Sequence, residues 1–185
     1  MDCDFGRISK EDSILVVVDV QEKFEAVIHE WDYMLENIIK IIRGFSAMEL
    51  PIIVTEQYPR GLGKTVREVS EALGEFSPVE KTCFSCMGEP EFREKLKSFG
   101  RKNIILCGIE SHVCLLNTTL DAIAEGYNVH FIVDAISSRK AVDHGITVER
   151  VNQAGAFLAS AEMVLFQLLK DAKSDEFKKV SRIVR

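Results

Sequence analysis

Three side chains far apart in this 185-residue chain, Asp19, Lys81 and Cys114, are of the types that together make a reactive thiol. A thiol attacks poorly until it loses its proton, a carboxylate beside it can take that proton, and an ammonium favours the charged forms. Asp19 closes the apolar run SILVVVD, Lys81 closes SPVEK, and Cys114 lies six residues beyond Gly108, which ends NIILCG. Taken singly, Asp19 could cap a turn, Lys81 could be a surface base and Cys114 a small core residue. The coincidence of all three at the ends of strand-like runs favours chemistry.

Those runs must position the three. Ser13 to Asp19, Pro51 to Thr55, Asn103 to Cys107 and Val129 to Val133 are short, apolar and β-branched, as in strands buried on both faces. Ser77 to Lys81 and Ala161 to Leu165 are weaker strand candidates. Helical periodicity fills the gaps at Trp31 to Met48, Pro90 to Phe99, His112 to Glu125 and Val142 to Leu158, with a charged terminal helix over Lys173 to Arg185. Such alternation predicts right-handed β-α-β units in one three-layer α/β/α, Rossmann-like domain over residues 1–185, with a six-stranded parallel sheet. Ligands then bind outside the carboxyl ends of the strands. A helix beginning near Ser111 would hold Cys114 in its first turn, where free N–H groups and the helix dipole depress a thiol pKa and can hold an oxyanion.

Composition excludes several partners. With 29 acidic and 23 basic residues scattered along the chain, the net charge of −6 leaves no basic face for nucleic acid or anionic lipid. No apolar window reaches the length of a membrane span, and the first twelve residues lack the apolar segment of a signal peptide, so a cytoplasmic location is expected. Five cysteines, Cys3, Cys83, Cys86, Cys107 and Cys114, are an odd number in a chain large enough to need no staples, and are read as thiols. Cys83-x-x-Cys86 invites a redox or zinc reading, but no second Cys/His pair stands at ligand spacing. His112, two residues before Cys114, does not share a helical face with it and is expected at the rim or in a structural role. His144 opens a helix with no evident partner.

The segments LVVVDVQEKF (15–24), VEKTCFS (79–85) and LCGIESHVCLLNTTLDA (106–122) resemble the isochorismatase-like cysteine hydrolase superfamily. TEQYPRGLGKTV (55–66) and VDAISSR (133–139) make the likeness closest to its isochorismatase domain-containing group. The resemblance implies that Asp19 is general base and later acid, that Lys81 supports the charged states, and that Cys114 forms an acyl or carbamoyl thioester with a small amide, ureide or carbamoyl substrate. It also implies a cis peptide at Ile109-Glu110 and an oxyanion hole built from the N–H groups of Glu110 and Cys114. Arg139 resembles the arginine that binds a substrate carboxylate in the N-carbamoylsarcosine amidase branch, though an exposed arginine in a loop fits the residues equally well. Gln21, Phe24, Gln57 and Tyr58 follow strands one and two and could line the pocket, with Phe24 alternatively in the core.

Departures from sister families sharpen the expectation. Nicotinamidases of the superfamily place Asp-x-His and further histidines after strand two to hold a metal, whereas this chain reads Thr55-Glu56-Gln57-Tyr58-Pro59, so no metal and no cofactor are expected. True isochorismatases lack the nucleophilic cysteine and cleave a vinyl ether by acid catalysis, so Cys114 argues against that reaction. The resemblance further implies a homo-oligomer, dimer or tetramer. Two rivals stay open: a degenerate member that binds a metabolite or protein without turnover, and a thiol redox protein using Cys83 and Cys86.

Overall fold

The computed structural model describes residues 5–184, so Cys3 and Arg185 lie outside the described residues. Strands β1 (Ser13–Val18), β2 (Ile52–Gln57), β3 (Val79–Lys81), β4 (Asn103–Gly108), β5 (Asn128–Ile136) and β6 (Phe157–Ala159) form one parallel sheet in the order β3-β2-β1-β4-β5-β6. The expected six-stranded α/β/α domain is the fold observed.

The helices are α1 (Trp31–Ala47), α2 (Pro59–Leu62), α3 (Arg67–Leu73), α4 (Pro90–Ser98), α5 (Leu116–Ala124), α6 (Ala141–Gln153), α7 (Ala161–Leu169) and α8 (Asp175–Ile183). Period-two alternation divides each strand between two cores. Leu15, Val17, Val54 and Ile105 pack with Ile38, Ile41 and Phe45 of α1 and Val164, Leu165 and Leu168 of α7. Ile14, Val16, Ile53 and Ile104 pack on the other face with Phe92 and Leu96 of α4 and Val151 of α6. Burial on both faces explains why the central strands read as unbroken apolar runs.

The last strand departs from the expectation. Residues 161–165 open α7, and the strand is Phe157–Ala159, from the end of the segment expected to be helical. Gly155 at φ +100 follows the end of α6, and the Ser160 hydroxyl caps α7 by accepting from the Met163 N–H at 3.2 Å. A short apolar run cannot separate a buried strand from a helix by periodicity alone.

The chain builds outward from β1 to β3 on one side and from β4 to β6 on the other. That reversal puts the topological switch point at the carboxyl ends of β1 and β4, where sheets of this kind bind their ligands. Close approach there requires glycine: Gly108 sits at φ +116, and a Cβ on it would stand 2.1 Å from the Val18 carbonyl oxygen.

Candidate active site

The carboxyl edge of the sheet gathers the three residues. Asp19 is the first residue beyond β1, in a left-handed conformation at φ 54, and its N–H donates to the Thr55 carbonyl at 3.2 Å. Lys81 closes β3 and reaches across β2, where its Nζ lies 2.6 Å from Asp19 Oδ2. Both side chains of this pair are at most 1% exposed. The ammonium also donates to Gln57 Oε1 at 2.7 Å and, at 3.3 Å each, to the carbonyls of Cys83 and Phe84. Burial opposes its charge, but the Asp19 carboxylate, with the two neighbouring thiols, outweighs burial and holds Lys81 above the ordinary lysine value.

Cys114 lies in a π-helical turn, Ser111–Leu115, that leads from β4 into α5, and it is 7% exposed. Such turns are rare and concentrate at functional sites. The thiol lies close enough to the Asp19 carboxylate for the two to interact. Its pKa is raised, contrary to the depression expected from a helix start: burial acts first and the facing carboxylate adds to it, while Lys81 opposes without prevailing.

The Ile109–Glu110 peptide is cis. Glu110 is nearly buried, and its Oε2 accepts from both the backbone N–H and the Nε of Arg139 at 3.0 Å each. Arg139 is 58% exposed in its side chain and is tied to the Cys114 turn through Glu110. The loop after β5 holds that turn at further points. Ser111 N–H donates to the Ser137 carbonyl at 2.8 Å, and Ser138 Oγ contacts both Ser111 Oγ and His112 Nδ1, the latter at 2.9 Å. His112 thus faces the β5 loop.

Of the four loop residues expected to line a pocket, Gln21 does not have a free amide. It is fully buried, its Nε2 donates to the carbonyls of Gln57 and Gly63 at 3.0 and 2.7 Å, and its Oε1 accepts from Gln57 N–H at 2.8 Å. It ties the loop after β1 to β2. Phe24 is half-buried against the core on the α1 side. Gln57 is the acceptor that steadies Lys81, while Tyr58, 56% exposed, lines a concavity of about 350 Å³ with Arg60, Glu80 and Glu89.

The other thiols separate clearly. Cys83 is half-buried, whereas Cys86 is buried and 4.0 Å from Thr55 Oγ1, with its pKa pushed up to about 11 chiefly by burial. Cys107 is a core residue raised further still. Among the described residues no group of three or more His, Cys, Asp or Glu side chains could hold a metal ion. Near the end of β2 the Glu56 carboxylate is occupied by Thr65, whose N–H and hydroxyl both donate to Oε1 at 2.7 Å.

Sequence patterns missed Thr55, whose hydroxyl donates to Asp19 Oδ1 at 2.7 Å, and the Glu110–Arg139 pair. Thr55 was hidden as a β-branched strand residue; the only sequence signal was its polar position at the same strand edge as Asp19.

A doubly wound parallel sheet with these residues at its switch point defines a Rossmann-like three-layer α/β/α fold. Residues 13–163 match the isochorismatase domain, and the chain belongs to that family. The isochorismatase domain-containing protein 2A of Mus musculus is 41% identical over 181 residues, spanning 97% of this chain and 86% of the mouse protein. A Caenorhabditis elegans structure called MAR1 ribonuclease superposes with a TM-score of 0.90 at 40% identity, over 96% of this chain and 92% of that one. The Escherichia coli YcaC gene product, described as an octameric hydrolase of unknown specificity, shares the fold at a TM-score of 0.91 and 23% identity, over 97% and 89% of the two chains.

Proposed function

We propose that this protein is a metal-independent cysteine hydrolase that cleaves a carbon–nitrogen bond in a small amide, ureide or carbamoyl compound. The observation that supports it most is a buried carboxylate paired with an ammonium and facing a nearby thiol. Asp19 takes the Cys114 proton as the sulfur attacks the substrate carbonyl carbon, and the oxyanion that forms is met by the N–H groups of the turn at Glu110 and Cys114. Asp19 then gives that proton to the leaving nitrogen, whose bond to carbon breaks, leaving a thioester. Water enters, loses a proton to Asp19, and its oxygen attacks the thioester; the carboxylate product leaves and the proton returns to sulfur. Lys81 holds the site's charge near balance throughout.

The same reading covers the wider calls. Glu56 engaged by Thr65 leaves the loop after β2 without the ligand set of metal-dependent relatives, which supports a reaction needing neither metal nor cofactor. Half-buried Cys83 with no disulfide supports a cytoplasmic, reducing location, and no described helix is long and apolar enough to cross a membrane. The octameric E. coli neighbour supports a homo-oligomer.

The ribonuclease name of the nematode relative offers a second reading. Against it stands the net charge of −6, which gives a phosphate backbone little attraction. The test is turnover of a panel of amides, ureides, carbamoyl compounds and a labelled RNA, in chelator, with intact-mass detection of an acyl adduct on Cys114. Turnover of a C–N substrate with that adduct supports the proposal. RNA cleavage that survives Cys114→Ala, or an absolute requirement for metal, overturns it.

A further inference from the structure

Thr55 has two holds on Asp19. Its carbonyl accepts the Asp19 N–H at 3.2 Å and its hydroxyl donates to Asp19 Oδ1 at 2.7 Å, so the backbone and the carboxylate are fixed by one residue. Thr55 is fully buried in the middle strand of the β3-β2-β1 half, in register with Val18 immediately before Asp19. For packing alone, valine would have the same shape without a hydroxyl to desolvate. A buried hydroxyl aimed at a carboxylate is explained by the carboxylate.

Behind it lies Cys86, whose Sγ is 4.0 Å from Thr55 Oγ1 and whose N–H is held by Thr118 Oγ1 at 2.9 Å. Burial keeps the Cys86 thiol protonated at neutral pH, so its S–H can point at the Thr55 oxygen and leave the hydroxyl proton for Asp19. One direction of donation runs from Cys86 through Thr55 to the proton acceptor.

Resting on the thiol-hydrolase reading above, we propose that Thr55 is the positioning residue of the general base: its hydroxyl and carbonyl fix the Asp19 carboxylate in the orientation that faces Cys114. The charged and titratable groups facing Asp19 are Lys81 from β3, Cys114 from the turn after β4 and Cys86 from the loop after β3. Removing the Thr55 hydroxyl leaves Asp19 Oδ1 without that donor and lets the carboxylate turn about its side-chain bond. Proton transfer from Cys114 then loses its aligned acceptor, and any Asp19-dependent reaction slows.

Iodoacetamide labelling of the full chain, followed by peptide mass across the pH range, tests this without a known substrate. Thr55→Val should slow Cys114 labelling about ten- to a hundredfold at neutral pH. Thr55→Ser should restore it, and Cys86→Ala should give a loss of about two- to fivefold in the same direction. Buried Cys107 reports the fold, because labelling there signals loosening. Should Thr55→Val expose Cys107, Thr55→Ser is compared with Thr55→Ala, and equal profiles overturn the proposal. An unchanged Thr55→Val profile also overturns it when wild-type Cys114 labelling depends on Asp19. If wild-type labelling favours Cys83, or ignores Asp19→Asn, the hydrolase reading itself fails.

Discussion

An open concavity and a buried ion pair lie at opposite edges of the sheet. At the amino edge, Arg93, Leu96, Lys97, Arg101 and Tyr127 surround about 660 Å³ of open space, and Arg93 pairs with Glu125 at 2.6 Å where both remain partly in water. At the carboxyl edge, Lys81 and Asp19 pair at the same 2.6 Å with almost no exposure. Identical distances have different energetic meanings. A solvated pair contributes about 0–1 kcal/mol, whereas breaking a buried pair by removing one partner costs about 3–5 kcal/mol. Volume marks where a molecule could rest; desolvated, mutually satisfied charges mark where one could react.

Lys81→Ala against Arg93→Ala is the sharpest way to break that contrast. The first should lower stability to urea by about 3–5 kcal/mol and abolish Cys114 reactivity; the second should cost about 1 kcal/mol or less and leave reactivity unchanged. Comparable losses would erase the distinction between the edges. The Lys81 contribution also has a defined pH sign. Because its folded pKa is raised, the stabilisation is complete below the ordinary lysine value of 10.5 and is lost only as pH rises beyond it through the folded value.

Next in size, Asp19→Asn and Cys114→Ser should each reduce turnover of a screened substrate by about a thousandfold or more while urea melts remain cooperative. The Asp19→Asn/Lys81→Ala double variant should lose far less than the sum of its single losses, since the two act as one unit. Additive losses would show that the carboxyl-edge pair is not one device.

Arg139 gives a smaller effect. If its work is to hold Glu110 and the turn, Arg139→Gln should slow neutral iodoacetamide and anionic iodoacetate alike, by about tenfold. A loss confined to iodoacetate would return Arg139 to recognition of a substrate carboxylate.

The smallest effect concerns His144. Its Nδ1 is buried with no hydrogen-bond partner, and its pKa is lowered, first by burial and then by His29. A histidine depressed in the fold costs stability as pH falls below its ordinary value of 6.5. His144→Gln should flatten the acid side of a melting-temperature profile by less than about 1 kcal/mol, given solvent screening. An unchanged slope would remove His144 from the account.

The strands that became β1 and β4 were legible because burial on both faces leaves no polar interruption, and Asp19 and Cys114 could be found just beyond them, with Lys81 at the end of the weaker run that became β3. Phe157–Ala159 was not, because three residues are too few to show a period and the stronger apolar run beside it belongs to α7. The short helices α2 and α3 escaped for the opposite reason: α3 buries only Val69, so its face leaves almost no pattern. Side-chain roles were harder than positions. Nothing in the order of residues distinguishes a Gln21 whose amide is fully bonded to backbone from one that faces a ligand, nor shows that Arg139 meets Glu110. The Cys114 pKa was misjudged because a helix start speaks only of nearby N–H groups, whereas burial and the carboxylate arrive from elsewhere in the chain.

The left-handed turn at Asp19 has an evolutionary consequence. At φ 54 the backbone is tolerated well only by glycine, asparagine and aspartate, so most replacements there injure the fold and are removed by selection. Asparagine is the exception: it suits the turn, nearly matches the shape of aspartate, and its codons differ from those of aspartate by one base. A lineage can therefore exchange the carboxylate for an amide in a single mutational step without disturbing the turn, and what opposes that exchange is the Lys81 ammonium left buried without its counter-charge.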